Sequence, residues 1–223
     1  MHEWPTNLAE ATAIQQRLRV LVETSDRFDQ PRIVAGIDAG YQGDQARAAV
    51  VLLSLPDLTP LDWAVAHAPA PLPYIPGFLS FREGPAVLAA LERLPHKPDL
   101  LIFDGQGIAH PRRFGIASHI GVLCDLPSIG CAKSLLVGKH APLDLERGAW
   151  QPLYHQDEQI GAALRSRSNV RPVYVSVGHR VGLASALALV LACTTRYRLP
   201  EPTRLAHRLA SHAVLPTTTN HHQ

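Results

Sequence analysis

An uninterrupted apolar run, Leu100 to Phe103, ends at Asp104 and constrains the fold more than any other feature of the chain. Because its apolar residues do not alternate with polar ones, the run predicts a central strand that is covered on both faces. Gly105, Gln106 and Gly107 follow, and the two glycines let the backbone approach a ligand closely. Open α/β sheets bind ligands at the ends of such strands. The stretch therefore predicts a buried strand that ends at a binding site.

A second run of the same form lies earlier in the chain, at residues 33–38, and ends at Asp38 before Ala39 and Gly40. If the two strands are parallel neighbours, Asp38 and Asp104 converge as hard oxygen ligands, the arrangement that holds Mg²⁺ against substrate phosphates. The alternative is that each aspartate caps a turn. The matching contexts of the two residues favour the metal site.

The remaining patterns predict a chain in which strands and helices alternate after an initial group of strands. The turns at 40–44 and 56–57 are short enough for hairpins, so the first three strands are predicted to be antiparallel. The predicted strands are 33–38, 46–55, 61–67, 100–103, 128–132 and 173–177, and the predicted helices are 6–23, 78–94, 114–126, 178–193 and one that begins at Pro202.

The helix predicted at 78–94 carries an acidic residue, Glu83, close to its start, with Pro85 at an early helical position. This placement leaves Glu83 free to point at the strand ends. A lone glutamate in a first turn is more often a surface residue that complements the helix dipole. Its role as a third metal ligand therefore depends on Asp38 and Asp104 meeting first.

The segment 69–77, PAPLPYIPG, contains four prolines that hold the chain extended and stiff. Tyr74 and Ile75 lie between Pro73 and Pro76. A braced aromatic of this kind suits a wedge that fills a gap in a base stack. The alternative is a hydrophobic loop that is anchored to the core, and the segment alone favours that alternative.

The charge of the chain limits how it can bind nucleic acid. With 21 basic and 19 acidic residues the net charge is only +2, so a nucleic-acid footprint has to be a local patch. Arg112 and Arg113 carry guanidinium groups that suit phosphate, and Lys133 follows a predicted strand. The loop at 165–171 adds Arg167 and Arg171 as candidate contacts to a phosphate backbone.

The length of 223 residues and 46% hydrophobic content predict a single domain over 1–212, followed by a disordered tail at 213–223. Three cysteines without a CxxC pair argue against a disulfide framework and structural zinc, and favour a reducing, cytoplasmic location. The sequence shows neither an export signal nor a membrane span, so no membrane partner is expected.

Six segments of the chain occur in a characteristic order: GIDAGY, PYIPGFLSFREGP, DGQGIAHPRRFGIASHIGV, GCAKSLLVG, PVYVSVGHR and RLPEPTRLAH. In content and order they resemble the endonuclease V family, and the resemblance covers about residues 12–211. The resemblance implies an α/β fold with a ribonuclease H-like mixed sheet, in which three antiparallel strands are followed by parallel strands and helices flank the sheet. It also implies a metal-dependent DNA repair endonuclease that recognises deoxyinosine, whose base is hypoxanthine, and nicks the strand at the second phosphodiester bond on its 3′ side.

The resemblance further implies roles for particular residues. Asp38, Glu83 and Asp104 match the acidic metal set, for Mg²⁺ with Mn²⁺ as a substitute, while His207 assists near the metal or water and Lys133 steadies the scissile phosphate. The strand-separating wedge matches Pro73, Tyr74, Ile75 and Pro76, and the pocket for an extruded base matches Gly105, Gln106, Gly107, Ile108 and His110. The implied partner is deoxyinosine-containing DNA, bound by a monomer.

Two departures from the family pattern are visible, and neither touches a proposed ligand. Val177 stands where the family commonly has proline, and Ala39 and Gly40 stand where larger residues are common. Three alternative functions stay open at this point: cleavage of inosine-containing RNA, lesion binding without turnover, and phosphotransfer to a sugar or nucleotide. The phosphotransferase would need a phosphate-cradling glycine loop that the sequence does not show.

Overall fold

In the computed structural model, which describes residues 2–42, 44–70 and 72–211, eight strands form one mixed sheet with helices on both faces. The strands are β1 (Ile33–Gln42), β2 (Gln45–Ser54), β3 (Pro60–Pro69), β4 (Leu100–Phe103), β5 (Ser128–Ala132), β6 (Trp150–His155), β7 (Glu158–Leu164) and β8 (Val173–His179). The α-helices are α1 (Leu8–Leu18), α2 (Leu79–Glu92), α3 (Ile116–Cys124), α4 (Leu183–Ala192) and α5 (Glu201–Ala210), and a 3-10 turn, Arg19–Leu21, follows α1.

The strand order is β3-β2-β1-β4-β5-β8-β7-β6. The first three strands are antiparallel, while β4 and β5 run parallel to β1, as predicted from the sequence. At the other end of the sheet β8, β7 and β6 are antiparallel to their neighbours. The sequence patterns did not predict β6 and β7, because β6 buries only Leu153 and contains Pro152, so it lacks the regular alternation of a half-buried strand.

Two hydrophobic cores cover the two faces of the central strands. On one face Val34 of β1 and Ile102 of β4 pack with Leu209 and other residues of α4 and α5. On the opposite face Ile37 and Phe103 pack with residues of α2 and α3. All four residues of β4 are buried, as expected of a strand that is covered on both sides.

Helix α5 lies directly against the backbone of β1. A Cβ atom at Gly36 would lie 2.0 Å from the carbonyl carbon of Pro202, so only glycine permits this approach. The contact brings the helix over the strand two residues before Asp38. The helix that the sequence predicted from Pro202 therefore packs against the strand that carries Asp38.

Three helices differ in detail from their predictions. The helix predicted from Gly178 begins only at Leu183, because β8 continues to His179. The α-helical part of the first helix ends at Leu18, five residues earlier than predicted, and continues only as the 3-10 turn. In α2, which begins at Leu79, Pro85 lies inside the helix rather than at an early position, and Glu83 is buried, unlike the alternative of a surface residue that complements the helix dipole. The reason is that α2 presses this part of its length against the sheet and the amino-terminal segment. The side chain of Trp4 fills the space where a Cβ of Gly84 would be.

The predicted tail at 213–223 and the end of the predicted domain at 212 lie outside the described residues. Among the helices in the described part of the chain, none combines the length and the apolar character that crossing a membrane requires.

Candidate active site

Two neighbouring parallel strands place the two predicted aspartates side by side. In the register of β1 and β4, Ile37 is opposite Phe103, and the Asp104 backbone N–H donates to the Ile37 carbonyl at 3.1 Å. Because side chains alternate along a strand, Asp38 and Asp104 project from the face that α4 and α5 cover. Their side chains are only 12% and 10% exposed. The predicted convergence of the two carboxylates is therefore present.

A basic or imidazole group stands beside each of these carboxylates. His207 of α5 donates from Nδ1 to Asp38 Oδ2 at 2.6 Å, and Lys133, which follows β5, forms an ion pair with Asp104. Burial raises the pKa of Asp38, and the nearby charge of Asp104 raises it further, while His207 and Lys133 oppose the change. The two carboxylates thus concentrate negative charge, which His207 and Lys133 offset only in part.

Asp38, Asp104 and His207 each offer one ligand atom, and these three atoms lie within 4.8 Å of one another. Two carboxylates and an imidazole form an oxygen-rich donor set that suits a hard divalent cation such as Mg²⁺ or Mn²⁺. A cation would also relieve the repulsion between the two carboxylates. The residues present therefore fit a metal centre.

Glu83 reaches the same cleft from the opposite face of the sheet. It lies on α2, and Tyr41 of β1 donates from its hydroxyl to Glu83 Oε1 at 2.6 Å. Burial raises the pKa of Glu83 to about 8, with smaller contributions from the charges of Asp38 and Asp104. Glu83 is not in the close group of three ligand atoms among the described residues, because it approaches the aspartates from another layer.

The aspartates and Glu83 line a cleft of about 300 Å³. The lining residues come from β1, the segment before α2 and the start of α2, the loop after β4 and the start of α3, and the end of β5 with the segment after it. They are Asp38, Ala39, Tyr74, Ile75, Pro76, Gly77, Leu79, Ser80, Glu83, Asp104, Gly105, Gln106, His110, Gly115, Ile116, Ala132, Lys133, Ser134, Leu135 and Leu136.

The predicted wedge borders this cleft. We call residues 72–77 the tyrosine loop, since Pro71 is outside the described residues. Leu72 is buried and packs with Ile75 in a small core beneath α1, whereas Tyr74 is 65% exposed. Tyr74, Ile75 and Pro76 line the cleft, and Pro73 is exposed beside it. The loop is therefore anchored to the core, as one alternative proposed, and still presents its tyrosine to solvent.

The residues predicted for a base pocket divide into two groups. Gly105, Gln106 and His110 line the cleft. Gly107 and Ile108 do not, because their backbone N–H groups donate to Ser176 Oγ and the Val177 carbonyl of β8, at 2.9 and 2.8 Å. The backbone of this part of the glycine loop is therefore tied to the sheet.

The residues predicted to contact phosphate also occupy different environments. The guanidinium of Arg112 donates to Gly77 and Gln15 and lies over the Phe78 ring, so it is engaged inside the protein rather than presented to a ligand. Arg113 forms an ion pair with Glu158 at 2.6 Å and donates to the His110 carbonyl.

The loop at 165–171 begins with an arginine that serves the fold. Arg165 is buried and donates to the carbonyl oxygens of Leu143 and Asp144. Arg167 and Arg171 of the same loop are exposed. These two residues have the accessibility that a phosphate contact requires.

Sequence patterns alone did not identify three residues around the site. Tyr41 belongs to the GIDAGY segment, but the sequence placed it in the turn at 40–44, and only the structure extends the strand of Asp38 through it. Leu135 and Leu136 line the cleft and are partly exposed, and only the structure shows that they border it.

The chain is similar in sequence and in fold to known proteins. The sequence model of the Endonuclease V family matches residues 16–208. Endonuclease V of Roseiflexus castenholzii is 62% identical over 215 residues, which cover 96% of this chain and 97% of that protein. The crystal structure of Endonuclease V from Streptomyces avermitilis superposes with a TM-score of 0.90 at 45% identity, covering 94% of this chain and 93% of that one.

A third relative was solved with nucleic acid. Ciona intestinalis Endonuclease V, in complex with a 24mer DNA containing an inosine followed by a ribo-adenosine, superposes with a TM-score of 0.79 at 27% identity, covering 92% of this chain and 96% of that one. The agreement of these structures with the mixed sheet confirms the ribonuclease H-like α/β fold predicted from the sequence. Because the family match and the close relatives span almost the whole chain, this protein belongs to the Endonuclease V family and is a nuclease.

Proposed function

We propose that this protein is a metal-dependent DNA repair endonuclease that recognises deoxyinosine and nicks the strand at the second phosphodiester bond on its 3′ side. The observation that carries the proposal is the pair of adjacent carboxylates, Asp38 and Asp104, in a cleft whose rim holds the exposed Tyr74. The inosine-containing DNA in the complex of the Ciona relative supports the choice of lesion.

In the proposed site Asp38 and Asp104 would hold Mg²⁺ together with Glu83, and Mn²⁺ would substitute for it. A divalent cation held there supplies an activated water and neutralises charge on the phosphate. His207 orients the Asp38 carboxylate through its hydrogen bond of 2.6 Å. Lys133 stands beside Asp104, where its ammonium group offsets the charge of the scissile phosphate.

Recognition in this proposal begins with Tyr74, which fills the gap left in the base stack when the damaged base is extruded. The base enters the cleft beside Gly105 and Gln106. Hypoxanthine carries a ring N–H where adenine has a bare ring nitrogen, so a hydrogen-bond acceptor distinguishes the two. Gln106 donates from Nε2 to the Ser134 carbonyl, and its Oε1 is a buried acceptor without a partner among the described residues.

Cleavage of inosine-containing RNA is a second candidate. The observation that favours it is the ribo-adenosine that follows the inosine in the nucleic acid of the Ciona complex. Only contacts to the 2′-hydroxyl distinguish RNA from DNA at a given position.

We propose that one copy of the chain suffices for the reaction, with the catalytic domain spanning 1–212 and acting in the cytoplasm.

A nicking assay on end-labelled oligonucleotides tests the function. DNA with one deoxyinosine, the matching RNA with one inosine, and undamaged controls are incubated with and without Mg²⁺, and the cut is mapped on a denaturing gel. The expected result is a single nick at the second bond 3′ to deoxyinosine that requires the cation. Binding without any nick would leave a lesion-binding protein, and a nick in RNA alone would establish the second candidate.

The same assay tests the two aspartates. Asp38→Ala and Asp104→Ala are expected to lower nicking by at least about 100-fold, since each removes one carboxylate of the proposed metal set. Thermal unfolding should stay close to that of the unmodified protein, because each change also removes like-charge repulsion. Asp57→Ala is the matched control, since Asp57 is exposed in the turn between β2 and β3 and does not line the cleft. Loss of activity only through loss of the folded state would contradict the metal role.

A further inference from the structure

The carbonyl oxygen of Gly77, the last residue of the tyrosine loop, is an unusually crowded hydrogen-bond acceptor. Gln15 Nε2 and His110 Nε2 each donate to it at 3.0 Å, and Arg112 Nη2 donates at 2.8 Å. A carbonyl oxygen has two lone pairs, so three donors exceed what satisfaction of the group requires. Gly77 has a φ of +84°, a conformation that favours glycine and ends the loop at this point.

The three donors come from two separate parts of the chain. Gln15 lies on α1 and is fully buried, and it also donates to the Phe114 carbonyl at 3.3 Å. His110 and Arg112 lie in the loop that begins at Asp104. Arg112 donates from Nε to Gln15 Oε1 and its guanidinium lies 4.2 Å from the centroid of the Phe78 ring. The network therefore joins the tyrosine loop to the segment that carries a catalytic carboxylate.

The protonation state of His110 is consistent with this hydrogen-bond network. The Gly77 carbonyl can only accept, so Nε2 carries the proton, and Nδ1 accepts the backbone N–H of Arg112 at 3.1 Å. Burial lowers the pKa of His110 to about 4, so the ring is neutral at pH 7. Both ring nitrogens are thus occupied within the protein.

We propose that Gln15, His110 and Arg112 form a clamp that positions the tyrosine loop relative to the carboxylates, with Gln15 and Arg112 acting as positioning residues that do not touch nucleic acid. The proposal rests on the proposed strand-separating role of Tyr74. Tyr74, Ile75 and Pro76 line the cleft immediately before the clamped carbonyl. A wedge held at this carbonyl keeps a constant distance from Asp104, because the clamp and Asp104 share one loop.

A purely structural role would be met more simply by apolar side chains. Burying a glutamine, a histidine and part of an arginine costs more than burying apolar groups of the same size, unless each polar atom is satisfied. Here the described hydrogen bonds use both Gln15 amide atoms and both His110 nitrogens. Directional bonds fix the position of a backbone atom more closely than apolar contacts do, and such precision is what a wedge beside a cleavage site requires.

The test compares Gln15→Met, which keeps the length of the side chain and removes its hydrogen bonds, with Arg112→Lys, which keeps the charge but cannot bridge Gly77 and Gln15. Nicking of deoxyinosine is measured in duplex and in single-stranded DNA. We expect each variant to lower kcat/KM on the duplex by about 10-fold, because a displaced wedge delays strand separation, and on the single strand by less than about twofold. Thr194→Val, which removes a buried hydroxyl that donates to Val190 within α4, controls for a general loss of stability.

Two further measurements separate positioning from simple packing. In a Tyr74→Ala background, Gln15→Met should cause no additional loss on the duplex, since both changes act on one step. Hydrogen exchange of the amides in the tyrosine loop should accelerate in Gln15→Met, with β1 amides unchanged. Equal losses on both substrates, additive effects with Tyr74→Ala, or unchanged exchange in the loop would overturn the clamp.

The outcome for Tyr74→Ala alone distinguishes failure of the clamp from failure of the wedge. If Tyr74→Ala selectively impairs nicking of the duplex and Gln15→Met does not, the clamp is overturned and the wedge stands. If Tyr74→Ala impairs both substrates equally, the wedge role is overturned and the positioning role falls with it. The proposed recognition of deoxyinosine is tested separately, because it fails only if the unmodified protein does not nick single-stranded DNA at deoxyinosine.

Discussion

At the scale of single residues, Glu83 is an acidic group of the site whose pKa is raised by burial into the neutral range. It is buried on α2, receives a hydrogen bond from Tyr41, and has a pKa of about 8 in the absence of a cation. At pH 7 its carboxyl group is therefore mostly protonated. A divalent cation that uses this carboxylate has to displace the proton, so cation binding and proton release are linked.

We expect the affinity for Mn²⁺, measured by electron paramagnetic resonance, to rise between pH 6 and pH 8 and to level off above pH 8. Well below pH 8 the displacement of one proton corresponds to about a tenfold change per pH unit. Glu83→Gln should flatten this dependence. Tyr41→Phe should move the rise to higher pH, because the Tyr41 hydroxyl favours the charged carboxylate. A profile in Glu83→Gln as steep as that of the unmodified protein would show that Glu83 does not bind the cation.

At the scale of elements, the tyrosine loop combines a buried anchor with an exposed tip. Leu72 and Ile75 pack beneath α1, while Tyr74 stands 65% exposed at the edge of the cleft. A large exposed aromatic on a braced loop has no packing function of its own. Its position beside the carboxylates suits contact with a ligand.

Tyr74→Ala is expected to weaken nicking of deoxyinosine in duplex DNA by about 10-fold or more and to affect single-stranded DNA little. Unpairing is the step that a wedge assists, and loss of base stacking on an aromatic ring costs about 1–3 kcal/mol. Tyr74→Phe keeps the ring and should retain activity. Equal losses on both substrates would mean that Tyr74 does not act in strand separation.

The loop at 165–171 presents accessible positive charge through two exposed arginines, Arg167 and Arg171. Arg167→Ala and Arg171→Ala are expected to weaken binding of damaged and undamaged DNA alike, and each should reduce the slope of log affinity against log salt by about 0.9 for duplex DNA. Arg19→Ala, at an exposed position on the 3-10 turn, is the control. An unchanged salt slope would mean that the loop is an ordinary solvated surface.

At the scale of the whole molecule, buried histidines make the fold sensitive to acid. Burial lowers the pKa of His110 to about 4 and that of His119, which lies against His2, to about 3. Both rings are neutral in the folded protein at pH 7. Since the unfolded chain protonates them near pH 6.5, their contribution to the free energy of unfolding is complete above that pH and is lost as the pH falls toward 4.

We expect the free energy of unfolding, measured with urea, to fall by about 3 kcal/mol on account of His110 alone between pH 7 and pH 4. His119→Gln should make the decline shallower, because it removes a second group that the fold keeps neutral. His96→Gln, at an exposed position, should leave the slope unchanged. A decline in His119→Gln equal to that of the unmodified protein would exclude His119 as a source of the acid sensitivity.

The sequence by itself determined the strands that carry Asp38 and Asp104, the first hairpins and the braced Tyr74. These features depend on local patterns: an apolar run that ends in an acid, short turns, and prolines around an aromatic. The resemblance of six segments to one family added the expectation that Glu83 and His207 join the site. Strand β6 escaped prediction because its burial does not follow a regular local period, and β7 because its buried run, Ile160 to Leu164, consists largely of glycine and alanine, which are weak strand formers.

Only the tertiary structure decided which distant side chains meet. The parallel register of β1 and β4 sets the two carboxylates side by side, and the close approach of α5 at Gly36 brings His207 to Asp38. The same packing directed Arg112 inward to Gln15 and Gly77, although its residue type alone had suggested a phosphate contact. Local periodicity encodes whether a side chain is buried, but its partners depend on strand register and helix placement, which involve residues far apart in the chain.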